Sequence, residues 1–263
     1  NFEVEKPEME PGSVVLQVED LHGVDYRGVE ILKGLNLNVR RGEILGIAGI
    51  DGNGQTEMVE IITGLRRATK GSVRVNGAEI CNRTPREGFE HGVSSIPADR
   101  QKHGLVLEFS VAENMILQNF REPEFSSHGI LKKDAIVEHA KQAVEKYDIR
   151  PNGCENRPAG TLSGGNQQKV IIAREVGNDK DLLIAVNPTR GLDVGAIEYV
   201  HRYLVEQRNK GKAVLLVSFE LDEILSLSDR IDTIYDGRIV GSMRGCDADE
   251  NTLGLLMAGG KHA

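Results

Sequence analysis

The chain has 263 residues, 39% hydrophobic and 27% charged, with a net charge of −8. Such a length admits one large domain or two small ones, and the composition is ordinary for a globular protein. The acidic balance argues against sequence-independent binding to DNA or to an anionic membrane face, and the absence of Trp with few other aromatics argues against a base-stacking platform for single strands. No apolar run approaches the ~20 residues of a membrane span, so any membrane role is expected to run through a partner. Cys81, Cys154 and Cys246 are far apart, odd in number and without metal spacing, and read as reduced thiols. His22, His91, His103, His128, His139 and His201 show no metal spacing either and are expected at the surface.

Residues 1–12 are rich in Glu and Pro, lack apolar periodicity and read as a linker or tail. The first residue is Asn1, and the chain is expected to be an excised piece of a longer polypeptide. Val14–Val18 and Leu35–Val39 alternate as strands, with Tyr26 in a Gly-flanked loop between them. Glu43–Ala48 is a short apolar strand running into Gly49-Ile50-Asp51-Gly52-Asn53-Gly54-Gln55-Thr56-Glu57, with a helix predicted from about Thr56 to Thr63. Strand, glycine-rich loop and helix is the context of a phosphate-binding P-loop, and Thr56 stands where a hydroxyl would ligate Mg²⁺. The usual lysine is missing, and Gln55 takes its place.

Asn76-Gly77 lies between Val73–Val75 and Ala78–Ile80, a hairpin signal of the type I′ kind. Arg86–Gly88 reads as a short helix and Val93–Ile96 as a strand, followed by Pro97-Ala98-Asp99-Arg100. Helical spacing covers Val111–Gln118 and Lys132–Tyr147, joined by a loop at 121–130. In Thr161-Leu162-Ser163-Gly164-Gly165-Asn166-Gln167-Gln168-Lys169-Val170, Ser163 can cap a helix that continues to about Val176. The helix start offers free N–H groups and a positive dipole end to an anion, and the two glycines leave its approach open. Leu182–Val186 and Ala213–Ser218 are buried strands flanking a helix from Val194 to about Asn209. Glu220–Leu227 is helical, Ile231–Tyr235 and Arg238–Gly241 form a second hairpin about Asp236-Gly237, and 249–258 form a short terminal helix. Apolar strands alternating with helices imply a mostly parallel α/β core, and the two hairpins with the first strands imply an antiparallel side layer.

Leu162 through Gln167 resembles the signature sequence of ATP-binding cassette (ABC) ATPases. The order of the P-loop, the signature, the Leu182–Val186 strand with Pro188-Thr-Arg-Gly-Leu-Asp193, and a switch position at Phe219 is similar to that family across residues 13–258. Gly46-Ile-Ala-Gly49, Asn166-Gln-Gln-Lys169, Pro188–Gly195 and Leu255-Leu-Met-Ala-Gly-Gly260 resemble the second, C-terminal cassette of tandem ATPases serving simple-sugar and nucleoside importers. The resemblance implies an α/β P-loop NTPase core of ABC type with an antiparallel side layer and a helical insert at about 100–176, a linker at 1–12 and a tail at 259–263.

The resemblance also implies ATP and Mg²⁺ as ligands. Tyr26 would stack on adenine, although an ordinary surface aromatic is the alternative. Residues Gly49 to Glu57 would hold the phosphates, with Thr56 on the metal. Leu162, Ser163, Gly164, Gly165, Asn166 and Gln167 would act across the interface on nucleotide held by a second cassette, towards which Asp193 would also reach. The hydrolytic groups of this chain's own site are replaced. Val186 stands for the Walker B aspartate, Asn187 for the catalytic glutamate, Phe219 for the switch histidine and Ala98 for a glutamine that touches metal and water. Asn187 cannot take a proton at neutral pH and Phe219 offers no polar atom, so the isolated domain is expected to be weak or inactive.

The implied partners are the second cassette, membrane permease subunits and, indirectly, an extracytoplasmic solute-binding protein, with no nucleic acid. The implied place is the cytoplasmic face of the membrane, peripheral through the permease. Residues 99–118 would form part of the permease groove, with Gly104-Leu-Val-Leu107 as apolar surface, the alternative being ordinary core. A non-transport ABC protein acting on nucleic acid is the competing reading, disfavoured by the acidic charge. An unrelated GTPase or kinase is the third, and Asn178-Asp-Lys-Asp181 has the wrong order for a guanine-reading motif.

Overall fold

The computed structural model describes residues 6–259. The phrase at 255–260, the linker at 1–12 and the tail at 259–263 therefore fall partly outside the described residues. The chain divides into two compact units, one comprising residues up to 95 with 180–188 and 201 onwards, the other 96–179 with 189–200.

In the first unit β1 (Val14–Val24) and β2 (Glu30–Arg40) pair antiparallel. Both run further than their alternation predicts. The register shifts between Val18 and Leu21, around Asp20 at φ 46°, so the inward-facing phase changes and the simple period breaks after Val18. β3 (Glu43–Ala48) is buried at every position, as is required of a strand covered on both faces. α1 (Gln55–Ile62) follows the P-loop directly, one residue earlier than predicted. β4 (Lys70–Val75) and β5 (Ala78–Glu79) make the first hairpin, with Asn76 and Gly77 both at positive φ as a type I′ turn demands. Strand order in this side sheet is β2-β1-β4-β5.

α2 (Pro85–Glu90) opens on a capping box between Thr84 and Glu87 and leads to β6 (Val93–Ile96). The second unit contains α3 (Val111–Met115), which ends three residues before the predicted Gln118. The loop predicted at 121–130 contains a small hairpin, β7 (Ser126–Ser127) with β8 (Ile130–Leu131), turned by His128 and Gly129 at positive φ. α4 (Lys133–Lys146) and α5 (Gly164–Gly177) complete its main helices. A single turn of π-helix at Arg100–Gly104, capped by Asp99, was not foreseen from the spacing.

β9 (Leu182–Val186), β10 (Ala213–Val217) and β11 (Arg230–Tyr235) run parallel with β3, while β12 (Arg238–Arg244) is antiparallel at the edge. α6 (Val194–Asn209), α7 (Leu221–Leu227) and α8 (Glu250–Met257) are the remaining helices among the described residues. The six-stranded sheet has the order β12-β11-β3-β10-β9-β6. The second hairpin thus belongs to the main sheet and not to the side layer, contrary to the sequence reading. Its apolar residue Ile234 joins Leu45, Ile47 and Val217 in one core with Leu16, Val18 and Leu35 of the side sheet and Met58 and Ile61 of α1.

Candidate functional site

The first unit brings the P-loop to the C-terminal end of β3, where α/β sheets hold their ligands. Gly54 sits at φ 105° and caps α1 without a side chain, and an added Cβ would stand 2.7 Å from Leu32. Gly49 leaves space for Gln55: a Cβ there would meet its Nε2 at 2.7 Å. Gln55 is buried inside the loop. Its Oε1 accepts from the Asn53 N–H at 3.1 Å and its Nε2 donates to the Ile50 carbonyl at 3.0 Å. Asn53 also donates to Ile50 O at 2.7 Å, and its Oδ1 accepts from the Asp236 N–H at 2.8 Å. The Gly237 N–H donates to Asn53 O at 3.1 Å, so the P-loop is tied to the turn between β11 and β12. Ile50, Asp51, Gly52 and Thr56 are exposed. The loop has the shape of a phosphate cradle but no cation, and Asp51 adds a negative charge.

The donor set does not make an Mg²⁺ site by itself. Thr56 offers one hydroxyl, and position 186, where a carboxylate would orient water on the metal, is the aliphatic Val186. Asn187 adopts φ 42°, a left-handed conformation that Asn tolerates. Its N–H donates to Val217 O at 2.7 Å, and its Oδ1 accepts from the Phe219 N–H at 3.0 Å. Asn187 thus ties the end of β9 to the end of β10. The Phe219 ring is 42% exposed. Tyr26 is 88% exposed, with the Arg27 guanidinium 5.5 Å from its ring centroid, and buried Asp25 holds the turn by accepting from the N–H groups of Arg27 and Val29.

The signature lies in the second unit. Ser163 caps α5, and its Oγ accepts from the Asn166 N–H at 3.4 Å and from Asn166 Nδ2 at 2.9 Å. With both lone pairs engaged, the hydroxyl hydrogen is left to donate outward, and Ser163 is exposed. Asn166 Oδ1 accepts from the Arg150 N–H at 2.7 Å. Leu162 and Gln167 are buried, and Gln167 donates to Ala159 O at 3.3 Å. Asp193 Oδ1 accepts from the Ala196 N–H at 2.9 Å, capping the start of α6. A Cβ on Gly165 would stand 3.4 Å from Ala196 and 3.9 Å from Asp193 Oδ2, which keeps signature and aspartate side by side. Ala98 is half-buried.

Two expectations change. His201 is buried and paired with Glu223 at 2.9 Å, not on the surface, because its place on α6 faces α7. Gly104 and Leu105 are buried, and only Val106 of Gly104–Leu107 is well exposed, since Gly104 packs against Ile171. Asn114 is the residue that the sequence reading missed here. Wholly buried, its Nδ2 donates to Val106 O, Phe109 O and Ser110 O while its Oδ1 accepts from the Val106 N–H, so one amide shapes the 106–110 loop. A buried Asn in an apolar helix was the available signal.

Residues 32–190 match the ABC transporter family model. The chain is 51% identical over 259 residues to the guanosine import ATP-binding protein NupO of Bacillus subtilis, covering 98% of this chain and 51% of that protein. It is 50% identical over 260 residues to the nucleoside import ATP-binding protein NupA of Lactococcus lactis, covering 99% and 51%, and 43% identical over 263 residues to a glucose import ATP-binding protein of Haloferax volcanii, covering 100% and 48%. The chain thus spans about half the length of these relatives. A nucleotide-free ATP-binding cassette from an ABC transporter superposes with a TM-score of 0.73 at 22% identity, covering 93% of this chain and 95% of that one, a likeness of fold. The match over more than half of its length, together with the cassette fold and the two glycine-bearing loops, makes this chain a member of the ABC transporter family.

Proposed function

We propose that the chain is the ATP-binding cassette of an importer for a nucleoside or simple sugar, and that it completes a hydrolytic site on a second cassette while its own site is degenerate. The reading rests on one contrast. The signature is fully built, with Ser163 poised to donate, whereas positions 55, 186, 187 and 219 lack the cation, the two carboxylates and the imidazole of a working site. Ser163, Gly164 and Gly165 would present O–H and N–H groups to the γ-phosphate of ATP held by the partner. Donors aimed at charge that moves during phosphoryl transfer can each be worth a few kcal/mol in a site closed to water. The loop that Gln55 braces from within and the N–H groups at the start of α1 would hold this chain's own nucleotide weakly, and Thr56 would be its one side-chain oxygen for Mg²⁺.

Relatives about twice as long as this chain leave room for a second cassette, which this reading puts in the N-terminal half of the same polypeptide. Permease subunits would place the assembly on the cytoplasmic face of the membrane, with a solute-binding protein acting outside. The 51% and 50% identities to guanosine and nucleoside import proteins favour a nucleoside over a sugar. Isolated, the chain is expected to turn over ATP far below the ordinary range of ~1–10³ s⁻¹.

The test is made in the assembled transporter, with folding checked by thermal melts. Ser163→Arg or Gly164→Asp should abolish nearly all ATPase activity and transport, while Gln55→Ala should be much milder. A more damaging Gln55→Ala would place the chemistry in this chain's own site and overturn the proposal.

A further inference from the structure

Arg100 opens the π-helical turn after β6, in the 99–118 segment that the sequence suggests as part of a permease groove. Within the second unit its guanidinium lies between two loops. Nη1 donates to the Arg190 carbonyl at 2.9 Å and Nη2 to the Gly191 carbonyl at 3.5 Å. On the other side it covers the first signature glycine: a Cβ on Gly164 would stand 3.2 Å from Nη2 and 3.7 Å from Cζ. Arg100 Nε is buried and has no hydrogen-bond partner. The turn itself is fixed by Asp99, whose carboxylate accepts from the N–H groups of Lys102 and Gln101 and is held below the usual range chiefly by the Lys102 N–H. The next residue, Gln101, donates from Nε2 to Gln167 Oε1 at 3.2 Å. Consecutive residues of one turn therefore grip the Arg190–Gly191 turn and the signature together.

We propose that Arg100 is a positioning residue for the trans contribution: it clamps the turn that carries Asp193 against the signature, so that Ser163, Gly164 and Asp193 meet the partner cassette as one rigid block. The inference rests on the trans reading above. A flat guanidinium can address two successive carbonyls at once while its face lies on a glycine, and neither lysine nor glutamine can do both. An unpaired buried N–H weakens packing, which fits a group kept for its placement. The glycine at 164 is needed here for a second reason, since any side chain would push the guanidinium away.

The experiment uses the full-length protein in its permease assembly. Arg100→Gln should lower kcat for ATP about tenfold or more with KM within about threefold, because misplacement affects reaction geometry and not the capture of nucleotide by the partner cassette's P-loop. Amide exchange should quicken over 189–193 and stay unchanged over 166–176. Arg100→Lys, which keeps the charge and is the safer variant for folding, should fail to restore turnover. Millimolar guanidinium should restore part of the activity of Arg100→Ala without raising that of the wild type. Wild-type turnover in Arg100→Lys, or unchanged exchange over 189–193 in Arg100→Gln, overturns the clamp. A Gly164→Asp arm separates the two ideas. If that variant keeps full turnover, the trans reading fails, while exchange over 189–193 still decides whether Arg100 holds the turn.

Discussion

At the scale of single residues, the P-loop is filled from within. Gln55 occupies the interior of the loop, where it accepts from the Asn53 N–H and donates to the Ile50 carbonyl that Asn53 Nδ2 also reaches. Gln55→Lys should therefore fold well and tighten ATP binding about ten- to a hundredfold, the worth of one charge-assisted bond. It should leave turnover unchanged, because the new cation serves ground and transition states alike and Asn187 remains tied to the Phe219 N–H. A nucleotide titration beside a phosphate-release assay checks both halves. A second residue-scale prediction concerns pH. Hydrogen bonds from His22 to Glu30, at 2.8 Å, and to Asp20, at 3.0 Å, raise the His22 pKa above 6.5. The stabilisation is complete below pH 6.5 and is lost as pH rises through the raised value. His22→Gln should accordingly lower the denaturation midpoint at pH 6 and converge on the wild type by pH 9, a small effect for a pair partly open to solvent.

At the scale of elements, the main sheet is pinned by a polar cluster at the start of β11. Arg230 Nε donates to Glu43 Oε1 at 2.8 Å and Nη1 to Asp232 Oδ1 at 3.2 Å, and both carboxylates are buried. Burial pushes the Asp232 carboxyl up. Arg230→Leu would strand two buried charges and should cost about 3–5 kcal/mol in urea unfolding near neutral pH. The cost should shrink as pH falls and Asp232, its pKa raised by burial, takes a proton. The strands β3, β9 and β10 were legible because each is an unbroken apolar run, and both hairpin turns were legible from Asn76-Gly77 and Asp236-Gly237. A turn signal says that two strands pair and not which sheet they join, so the second hairpin was misplaced. The bulge at Asp20 hid half of β1, because alternation is readable only while the register holds. His201 was misread because one polar residue on a helix carries no sign of the Glu223 that meets it. The glycine loops could be read because free backbone N–H groups need glycine at fixed spacing. The clasp at Arg100 could not, since its acceptors are backbone carbonyls 90 residues away.

At the scale of the whole molecule, a net charge of −8 sets a limit on partners. Single-stranded RNA or duplex DNA at low salt should leave ATPase turnover of the assembly within error of the control. A marked stimulation would instead favour the nucleic-acid reading. Among the described residues no helix is long and apolar enough to cross a membrane.

The tether between Asn53 and the Asp236–Gly237 turn has a bearing on time as well as on shape. A phosphate loop held from within by Gln55 and from outside by Asn53 has no ordering step to complete when an anion arrives. Weak affinity at this site should then come from rapid departure and not from slow entry. In stopped-flow mixing of a fluorescent ATP analogue with the wild-type chain, the observed rate should rise linearly with nucleotide concentration and reach no plateau. A hyperbolic rise would reveal a loop that must first rearrange.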